Sequence, residues 1–207
     1  MKSISDHWDT LFSEKEDCEL GWYESDVSRT MELLEHIDGW KNKTIFLPGA
    51  GTSILVEELL SHGPQLILND ISNEALHRLK QKLADDNHRT FWLCQDIAQT
   101  IQQKIPDIDI WIDRAVLHFL TDEKDIQGYF NNIRSRLKIG GYGIFAEFST
   151  TGAEKCAGLT LHRYSVEELS HRLGDDFQLV CNFDHIFINP RGDERPYIYT
   201  LFKRIKA

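Results

Sequence analysis

The sequence has little that would tie it to a membrane, a disulfide framework or a metal. It contains four cysteines in 207 residues, without a C-x-x-C pair, so neither a zinc site nor a disulfide scaffold is indicated. It has no apolar run long enough to span a bilayer. Its first residues show no apolar segment of a secretory signal. We therefore expect a cytoplasmic protein with reduced thiols, no metal site and no membrane partner.

Positive charge is also scarce. The chain has 23 lysines and arginines against 33 aspartates and glutamates, which gives a net charge of −10. Because phosphate backbones are bound by clustered basic residues, a nucleic acid is not expected as a partner. An acidic chain would suit a cationic ligand, although most acidic proteins are acidic for solubility alone.

The most informative segment is residues 44–53, where an apolar strand runs into a turn containing Gly49 and Gly51 and a helix follows. About twenty residues later, a second apolar strand ends at Asn69 and Asp70. This layout places a crevice lined by backbone at the carboxyl edge of a parallel sheet, beside a carboxylate that suits ribose hydroxyls. The segment indicates a cofactor that contains a nucleoside.

Short apolar strands alternate with helical patterns along the chain, which predicts βαβ units and a parallel sheet. The predicted strands are 44–47, 65–69, 90–94, 108–113, 142–148, 178–187 and 197–203. The last two follow each other with little helix between them, so we expect an antiparallel pair at one edge. We predict an α/β fold: a Rossmann-like seven-stranded, mostly parallel sheet with helices on both faces and an antiparallel C-terminal edge strand.

The domain organisation is predicted to be simple, because the sequence shows no linker, internal repeat or low-complexity tract. Residues 1–207 are expected to form a single domain. Within it, residues 1–40 have a helical pattern with Trp8, Phe12 and Trp22 among the apolar positions. We expect this part to be a helical extension or lid, and residues 41–207 to be the cofactor-binding core.

The glycine turn is a poor match to two common nucleotide sites. A P-loop needs Lys followed by Ser or Thr after the glycines, which this chain lacks. A dinucleotide fingerprint needs a third small residue, and Ile54 occupies that position. A cofactor with one ribose and no phosphate needs only an open turn, a carboxylate for the ribose and a polar group for the base. Asp70 and Asp96 follow neighbouring strands where those roles fall, and together with Asp113 they would suit a sulfonium cation.

The ordered set of these segments resembles the class I S-adenosylmethionine-dependent methyltransferases over nearly the whole length. The resemblance is carried by FLPGAGTS at 46–53, LNDIS at 68–72, QD at 95–96, WIDRAVLHFL at 111–120 and LKIGGY at 137–142. Most of the family has an acidic residue at the end of strand one, where this chain has Leu47 and Pro48. The Asp113-Arg114-Ala115 stretch looks similar to the thiopurine methyltransferase-like branch, which also lacks that acid.

The resemblance implies methyl transfer from S-adenosyl-L-methionine to a small molecule or a protein side chain, with S-adenosyl-L-homocysteine as the product. It implies a ribose contact from Asp70 and an adenine-side contact from Asp96. Trp22 could cover the cofactor or only pack the extension onto the domain. The full set of expected cofactor contacts is Pro48, Gly49, Ala50, Gly51, Asp70, Ile71, Asp96, Ile97, Asp113 and Trp22.

Methyl transfer from a sulfonium is an in-line displacement, so positioning contributes much of the catalysis and a base is needed only for a protonated nucleophile. Asp113 and His118 are the catalytic candidates, with an ion pair and a satisfied buried histidine as their respective alternatives. Glu147, Cys156 and His162 are the candidate substrate contacts, because strand five and the connection after it border the acceptor pocket in this fold.

Two other functions remain open at this point. The missing acid of strand one is compatible with a non-catalytic module that only binds S-adenosylmethionine. A similar sheet also serves NAD(P)-dependent reductases, although the third glycine and a second domain are absent. No Asn/Asp-Pro-Pro-Tyr/Phe motif follows strand four, which weakens DNA and amide nitrogens as targets.

Overall fold

The structure is a computed structural model that describes residues 3–83 and 88–206. Its strands are β1 (Thr44–Leu47), β2 (Gln65–Asp70), β3 (Thr90–Cys94), β4 (Ile108–Arg114), β5 (Leu137–Phe148), β6 (Lys155–Cys156), β7 (Leu159–Thr160), β8 (Phe177–Ile188) and β9 (Glu194–Arg204). Its helices are α1 (Ile4–Glu14), α2 (Ser28–Leu34), α3 (Ile54–His62), α4 (Asn73–Lys82), α5 (Glu123–Arg136) and α6 (Val166–Leu173). The outer limits of the predicted domain, Met1 and Ala207, lie outside the described residues.

Seven of these strands form one sheet in the order β3-β2-β1-β4-β5-β9-β8, and β6 pairs with β7 in a separate small hairpin. Strands β1 to β5 pair with one another in parallel, whereas β9 is antiparallel to both β5 and β8. The predicted fold class is confirmed. In detail, the last strand, β9, lies between β5 and β8, so β8 forms the edge. The strand order reverses between β1 and β4, and a sheet of this kind binds ligands in the crevice at that point.

Local capping signals explain where the helices around this crevice begin. The Ser53 side chain accepts the amide hydrogen of Leu55, and α3 ends at Gly63, whose φ of 112° is left-handed. The Ser72 side chain accepts the amide hydrogen of Ala75 at the start of α4. Such caps satisfy amide groups that have no partner within the helix.

One strand starts earlier than the sequence predicted. β5 begins at Leu137, not at residue 142, and pairs with β4 through a register shift between Ile108 and Ile110. The Gly140-Gly141 pair lies inside this irregular part of the strand, with Gly140 at a φ of 81°. Glycine therefore relieves a bulge here and does not end a helix.

The central strands β1, β2 and β4 are buried on both faces, as expected for parallel strands covered by helices. Ile45 and Leu47 point to one face, where α2 and α3 pack, while Phe46 points to the other, where α5 and α6 pack. Phe46 stacks on Trp111 with ring centroids 4.2 Å apart. The two apolar layers hold the carboxyl ends of β1 and β4 in fixed positions.

The N-terminal segment is tied to α4 beside the carboxyl edge of the sheet. The guanidinium of Arg78 donates to the carbonyl groups of Phe12 and Lys15 and forms an ion pair with Asp17 at 2.8 Å. Phe12 and Leu20 pack with Ala75 in a small apolar cluster of their own. Within the described ranges, no helix is long and apolar enough to cross a membrane.

Candidate functional site

A cavity of about 350 Å³ lies at the carboxyl edge of the sheet, beneath the N-terminal segment. It is bounded by the turn after β1, the ends of β2 and β3, the segment after β4 and residues of the first 24 positions. Nine of the ten predicted cofactor residues line it. These are Trp22, Pro48, Gly49, Ala50, Gly51, Asp70, Ile71, Asp96 and Ile97. Residues that are distant in sequence therefore share one enclosed surface.

The turn after β1 presents bare backbone to this cavity. Gly49 and Gly51 have φ values of 54° and 52°, in the left-handed region that favours glycine. A Cβ atom on Gly49 would lie 2.3 Å from Cγ2 of Val116, which no packed structure tolerates. At Gly51 the nearest atom to a Cβ would be Phe12 Cζ at 3.4 Å. Glycine is thus required at position 49 by both backbone conformation and space.

Asp70 links the glycine turn to the end of β2. Its Oδ2 accepts a hydrogen bond from the amide of Gly51 at 2.9 Å, and its Oδ1 accepts one from the amide of Ser72 at 2.9 Å. Burial raises the pKa of Asp70 to about 6, against the opposing effect of these hydrogen bonds. The carboxylate therefore holds the turn in place while it also faces the cavity.

The end of β3 contributes the opposite side of the cavity. Asp96 accepts a hydrogen bond from the amide of Ala98 at 2.9 Å. Asn132, on α5, holds this loop from below: its Nδ2 donates to the carbonyl of Ile97 at 2.8 Å, and its Oδ1 accepts from the amide of Ile101 at 3.1 Å. Sequence reasoning missed Asn132. The available signal was a polar residue among the apolar positions of the helical pattern that precedes strand five.

Arg114 is a second residue that sequence reasoning missed as a functional candidate. It lines the cavity, pairs through Nε with Oε2 of Glu24 at 2.9 Å and donates through Nη1 to the carbonyl of Trp22 at 2.7 Å. The guanidinium also lies 4.8 Å from the ring centroid of Phe187. Among the described cavity residues it is the one cation, whereas five are acidic, namely Glu24, Asp70, Asp96, Asp122 and Asp125.

Aromatic side chains cover the cavity from the N-terminal side. Trp8 makes edge contacts with Trp22, at a centroid distance of 5.4 Å, and with Phe119, at 4.8 Å. Phe12 contacts Trp22 in the same way at 6.0 Å. These contacts join the N-terminal segment to the segment after β4. Trp22 therefore takes part in the cover and also lines the cavity.

Asp113, His118 and Glu147 have a different placement from the one predicted. Each is 0% exposed, and none lines the cavity. His118 Nδ1 lies 2.7 Å from Oε2 of Glu147, and burial lowers the pKa of His118 to about 3. A direct catalytic contact from Asp113 or His118, a cofactor contact from Asp113 and a substrate contact from Glu147 do not fit this burial. The alternative of a buried histidine describes the position of His118, although only Nδ1 has a hydrogen-bond partner and Nε2 has none among the described residues.

Cys156 and His162 also lie outside the described cavity lining. Cys156 belongs to the β6–β7 hairpin, and burial raises the pKa of its thiol. Nε2 of His162 lies 2.7 Å from Oε1 of Glu168, and its ring packs against Tyr164 at 4.5 Å. The structure thus gives His162 partners within the protein, and it brings neither residue to the cavity, where a substrate contact was predicted.

The chain is similar to known proteins in both sequence and structure. Residues 48–142 match a family model described as a methyltransferase domain. The structure is similar to an S-adenosylmethionine-dependent methyltransferase from Anabaena variabilis, with a TM-score of 0.78 and 15% identity over 99% of this chain and 96% of that one. A search of curated proteins finds no match.

Two further solved structures carry the cofactor product. The N-methyltransferase NodS from Bradyrhizobium japonicum, in complex with S-adenosylhomocysteine, is 15% identical over 96% of this chain and 98% of that one, with a TM-score of 0.72. The 1,6-didemethyltoxoflavin-N1-methyltransferase of Burkholderia thailandensis, with its substrate and S-adenosylhomocysteine bound, is 14% identical over 95% and 81%, with a TM-score of 0.67. At these identities the likeness establishes the fold.

The fold is that of the class I S-adenosylmethionine-dependent methyltransferases. Residues 48–142, less than half of the chain, match the methyltransferase domain model, and methyl transfer from S-adenosyl-L-methionine is the activity that this match and the similar structures support. The predictions of fold, cofactor and enzyme class are confirmed, and the NAD(P) alternative finds no support. The comparisons do not single out the thiopurine methyltransferase-like branch, which stays a prediction.

Proposed function

We propose that S-adenosylmethionine occupies the cavity at the carboxyl edge of the sheet, and that the acceptor is a small molecule entering beside Trp22 and Arg114. The observation that carries this proposal is the gathering of nine residues, predicted from four separate parts of the chain, around one enclosed space. In this arrangement Asp70 takes the ribose hydroxyls, Asp96 and Ile97 lie on the adenine side, and the bare turn at Gly49 accommodates the methionine part.

The charge of the cavity supports a sulfonium ligand. Five carboxyl groups line it, and its one described cation, Arg114, is already paired with Glu24. A positively charged sulfonium gains from nearby carboxylates, and enclosure strengthens such interactions. The acid that most of the family carries after strand one is replaced by Leu47 and Pro48, so the cavity obtains its negative charge from other strands.

The chemistry proposed here is in-line displacement with the acceptor held in position. Neither histidine nor cysteine occurs among the described residues of the cavity lining. The acceptor atom therefore reacts in a form that needs no histidine base, and catalysis consists mainly of alignment and exclusion of water.

A small acceptor is favoured over a macromolecule by the cover over the cavity. Trp8 contacts both Trp22 and Phe119 edge to face, and the three rings close the cavity from one side. Among the similar structures, one enzyme has 1,6-didemethyltoxoflavin bound. The acidic composition supports the absence of a nucleic acid partner.

A cytoplasmic location is part of the proposal and is supported by four free cysteines.

The first test is calorimetry of the purified protein with S-adenosylmethionine and with S-adenosylhomocysteine, followed by a screen of acceptors with methyl-labelled cofactor. We expect binding of both compounds and incorporation of label into at least one class of thiol, amine or carboxyl acceptor. Binding without incorporation across the screen would favour a non-catalytic module. Absence of binding would refute the proposed cavity occupant.

A pH dependence follows from Asp70, whose pKa is raised by burial to about 6. Ribose hydroxyls donate to the carboxylate, so cofactor affinity is complete above pH 6 and falls by up to about tenfold per pH unit below it. The contribution of Asp70 to the stability of the free protein has the opposite sign. Because its folded pKa exceeds the unfolded value of 3.8, it adds stability as pH falls from 6 towards 4. Calorimetry between about pH 5 and pH 8 measures the first effect, and Asp70→Asn should flatten the profile.

A further inference from the structure

Two buried carboxyl groups beneath the cavity accept hydrogen bonds from the backbone of one short segment, residues 116–118. Asp113, near the end of β4, accepts hydrogen bonds from the amides of Val116 at 3.0 Å and Leu117 at 3.2 Å. Glu147, near the end of β5, accepts one from the amide of His118 at 3.2 Å, through the oxygen that also faces His118 Nδ1. Three consecutive amides are therefore held by side chains from two neighbouring strands.

The segment that is gripped, residues 115–119, forms one wall of the cavity. Ala115, Val116 and Phe119 line the cavity directly. Val116 is packed so closely on the glycine turn that its Cγ2 would lie 2.3 Å from a Cβ at Gly49, and Phe119 contacts Trp8. Ala115 has a φ of 69°, a conformation that a non-glycine residue keeps only when its surroundings impose it. The backbone conformation of residues 115–119 thus depends on the hydrogen bonds from Asp113 and Glu147.

Asp113 is itself held in a fully buried network, whereas Oε1 of Glu147 has no hydrogen-bond partner among the described residues. The hydroxyl of Tyr129 donates to Oδ2 of Asp113 at 2.5 Å, and Nε1 of Trp111 donates to that hydroxyl at 2.9 Å. Burial raises the pKa of Glu147 to about 8 and raises that of Asp113 well above its ordinary value. The other charged or titratable groups facing them are His118, Arg114, Tyr164 and Tyr197. Such placement suits hydrogen-bond acceptors that hold backbone, and it gives no path to a substrate.

We propose that Asp113 and Glu147 are positioning residues of the methyl-transfer site. Their hydrogen bonds hold residues 115–119 in the position in which Val116 and Phe119 close the cavity around the cofactor. The inference rests on the proposed function, because the cofactor is what the wall would contact. Asp113 and Glu147 do not line the cavity. They would affect cofactor affinity through the three backbone amides that they bind.

The test compares Glu147→Leu with Glu147→Gln. Leucine has no acceptor for the amide of His118, whereas the glutamine carbonyl oxygen can still accept it. We expect Glu147→Leu to raise KM for S-adenosylmethionine about tenfold, as for the loss of hydrogen bonds to a buried acceptor, with kcat at saturating cofactor within about threefold. Glu147→Gln should restore KM to within about threefold of the wild type. Equal KM values for Glu147→Leu and the wild type would refute the proposal.

Thr200→Val is the matched control. It removes a buried hydroxyl on β9 that donates to the carbonyl of Phe145, which lies on the same strand as Glu147, and this hydrogen bond does not involve residues 115–119. It should leave KM unchanged. If Glu147→Leu does not fold, Tyr129→Phe replaces it, since it removes only the hydroxyl that donates to Asp113. A raised KM for that variant supports the proposal, and an unchanged one contradicts it.

Hydrogen exchange separates this inference from the proposed function, because it is measured without cofactor. The amides of residues 116–118 should exchange about tenfold faster in Glu147→Leu, or in Tyr129→Phe, than in the wild type and Thr200→Val. Unchanged exchange would refute the proposal that Asp113 and Glu147 hold these amides, even if the protein binds its cofactor. Faster exchange in a protein whose wild type binds no S-adenosylmethionine would count against the proposed function alone.

Discussion

Gly49→Ala is expected to lower cofactor affinity at least about 100-fold relative to the wild type, or by about 2.7 kcal/mol. The added Cβ would lie 2.3 Å from Cγ2 of Val116, so either the glycine turn or the wall at residues 115–119 must move. Both bound the cavity, and movement of either changes its shape. The left-handed φ of 54° adds a backbone penalty of about 1 kcal/mol. Calorimetric titration with S-adenosylhomocysteine measures the loss.

Gly158→Ala is the control for this substitution. Gly158 has a φ of 80°, and a Cβ there would meet nothing within 4 Å. It therefore carries the backbone penalty without the clash and should bind the cofactor normally. Overpacking at Gly49 should in addition lower the free energy of unfolding by about 1–3 kcal/mol more than Gly158→Ala does. Equal binding by the two variants would show that the turn does not lie against the cofactor.

Asp70→Ala is expected to lower cofactor affinity about 100-fold, or about 2.7 kcal/mol. The variant loses the carboxylate that would take the ribose hydroxyls. It also leaves the amides of Gly51 and Ser72 without the partner that each has at 2.9 Å, which loosens the glycine turn. Hydrogen bonds to a charged group contribute about 1.5–3 kcal/mol each, and relief of the buried charge offsets part of this loss in stability. Calorimetry and denaturant unfolding report the two effects separately.

Asp109→Ala offers a matched control for Asp70→Ala. The Asp109 carboxylate, near the start of β4, accepts a hydrogen bond from the amide of Thr44 at 2.9 Å and pairs with Lys138. It thus performs a similar structural task at the opposite end of the strands. We expect a cost in stability without a change in cofactor affinity. A loss of affinity as large as that of Asp70→Ala would mean that general loosening of the sheet explains both variants.

Much of the cavity lining could be predicted because its signals are local. A strand, a glycine turn and a capped helix are encoded within residues 44–63, and Asp70 directly follows the next apolar run. Parallel strands bring their carboxyl ends to one edge whatever packs around them. The position of each residue along its strand was therefore enough to collect the residues that line the cavity.

The side of a strand on which a group lies was harder to predict. Asp113 and Arg114 are adjacent, yet Arg114 lines the cavity and Asp113 lies beneath it, because successive side chains of a strand point to opposite faces. A carboxylate at a strand end looked catalytic in sequence. The arginine had no visible partner, since Glu24 is distant in the chain and meets it only in the folded protein.

The sequence by itself determined the order of strands and helices, the open glycine turn and the carboxylate of Asp70, because each depends on the conformational preferences of a few neighbouring residues. Only the tertiary structure decided that β9 enters the sheet between β5 and β8 and that the N-terminal aromatic residues cover the cavity. It also turned Asp113 and Glu147 inwards against residues 116–118. Those outcomes depend on contacts between residues far apart in the chain, where burial of apolar area and the pairing of buried polar groups select one arrangement among many.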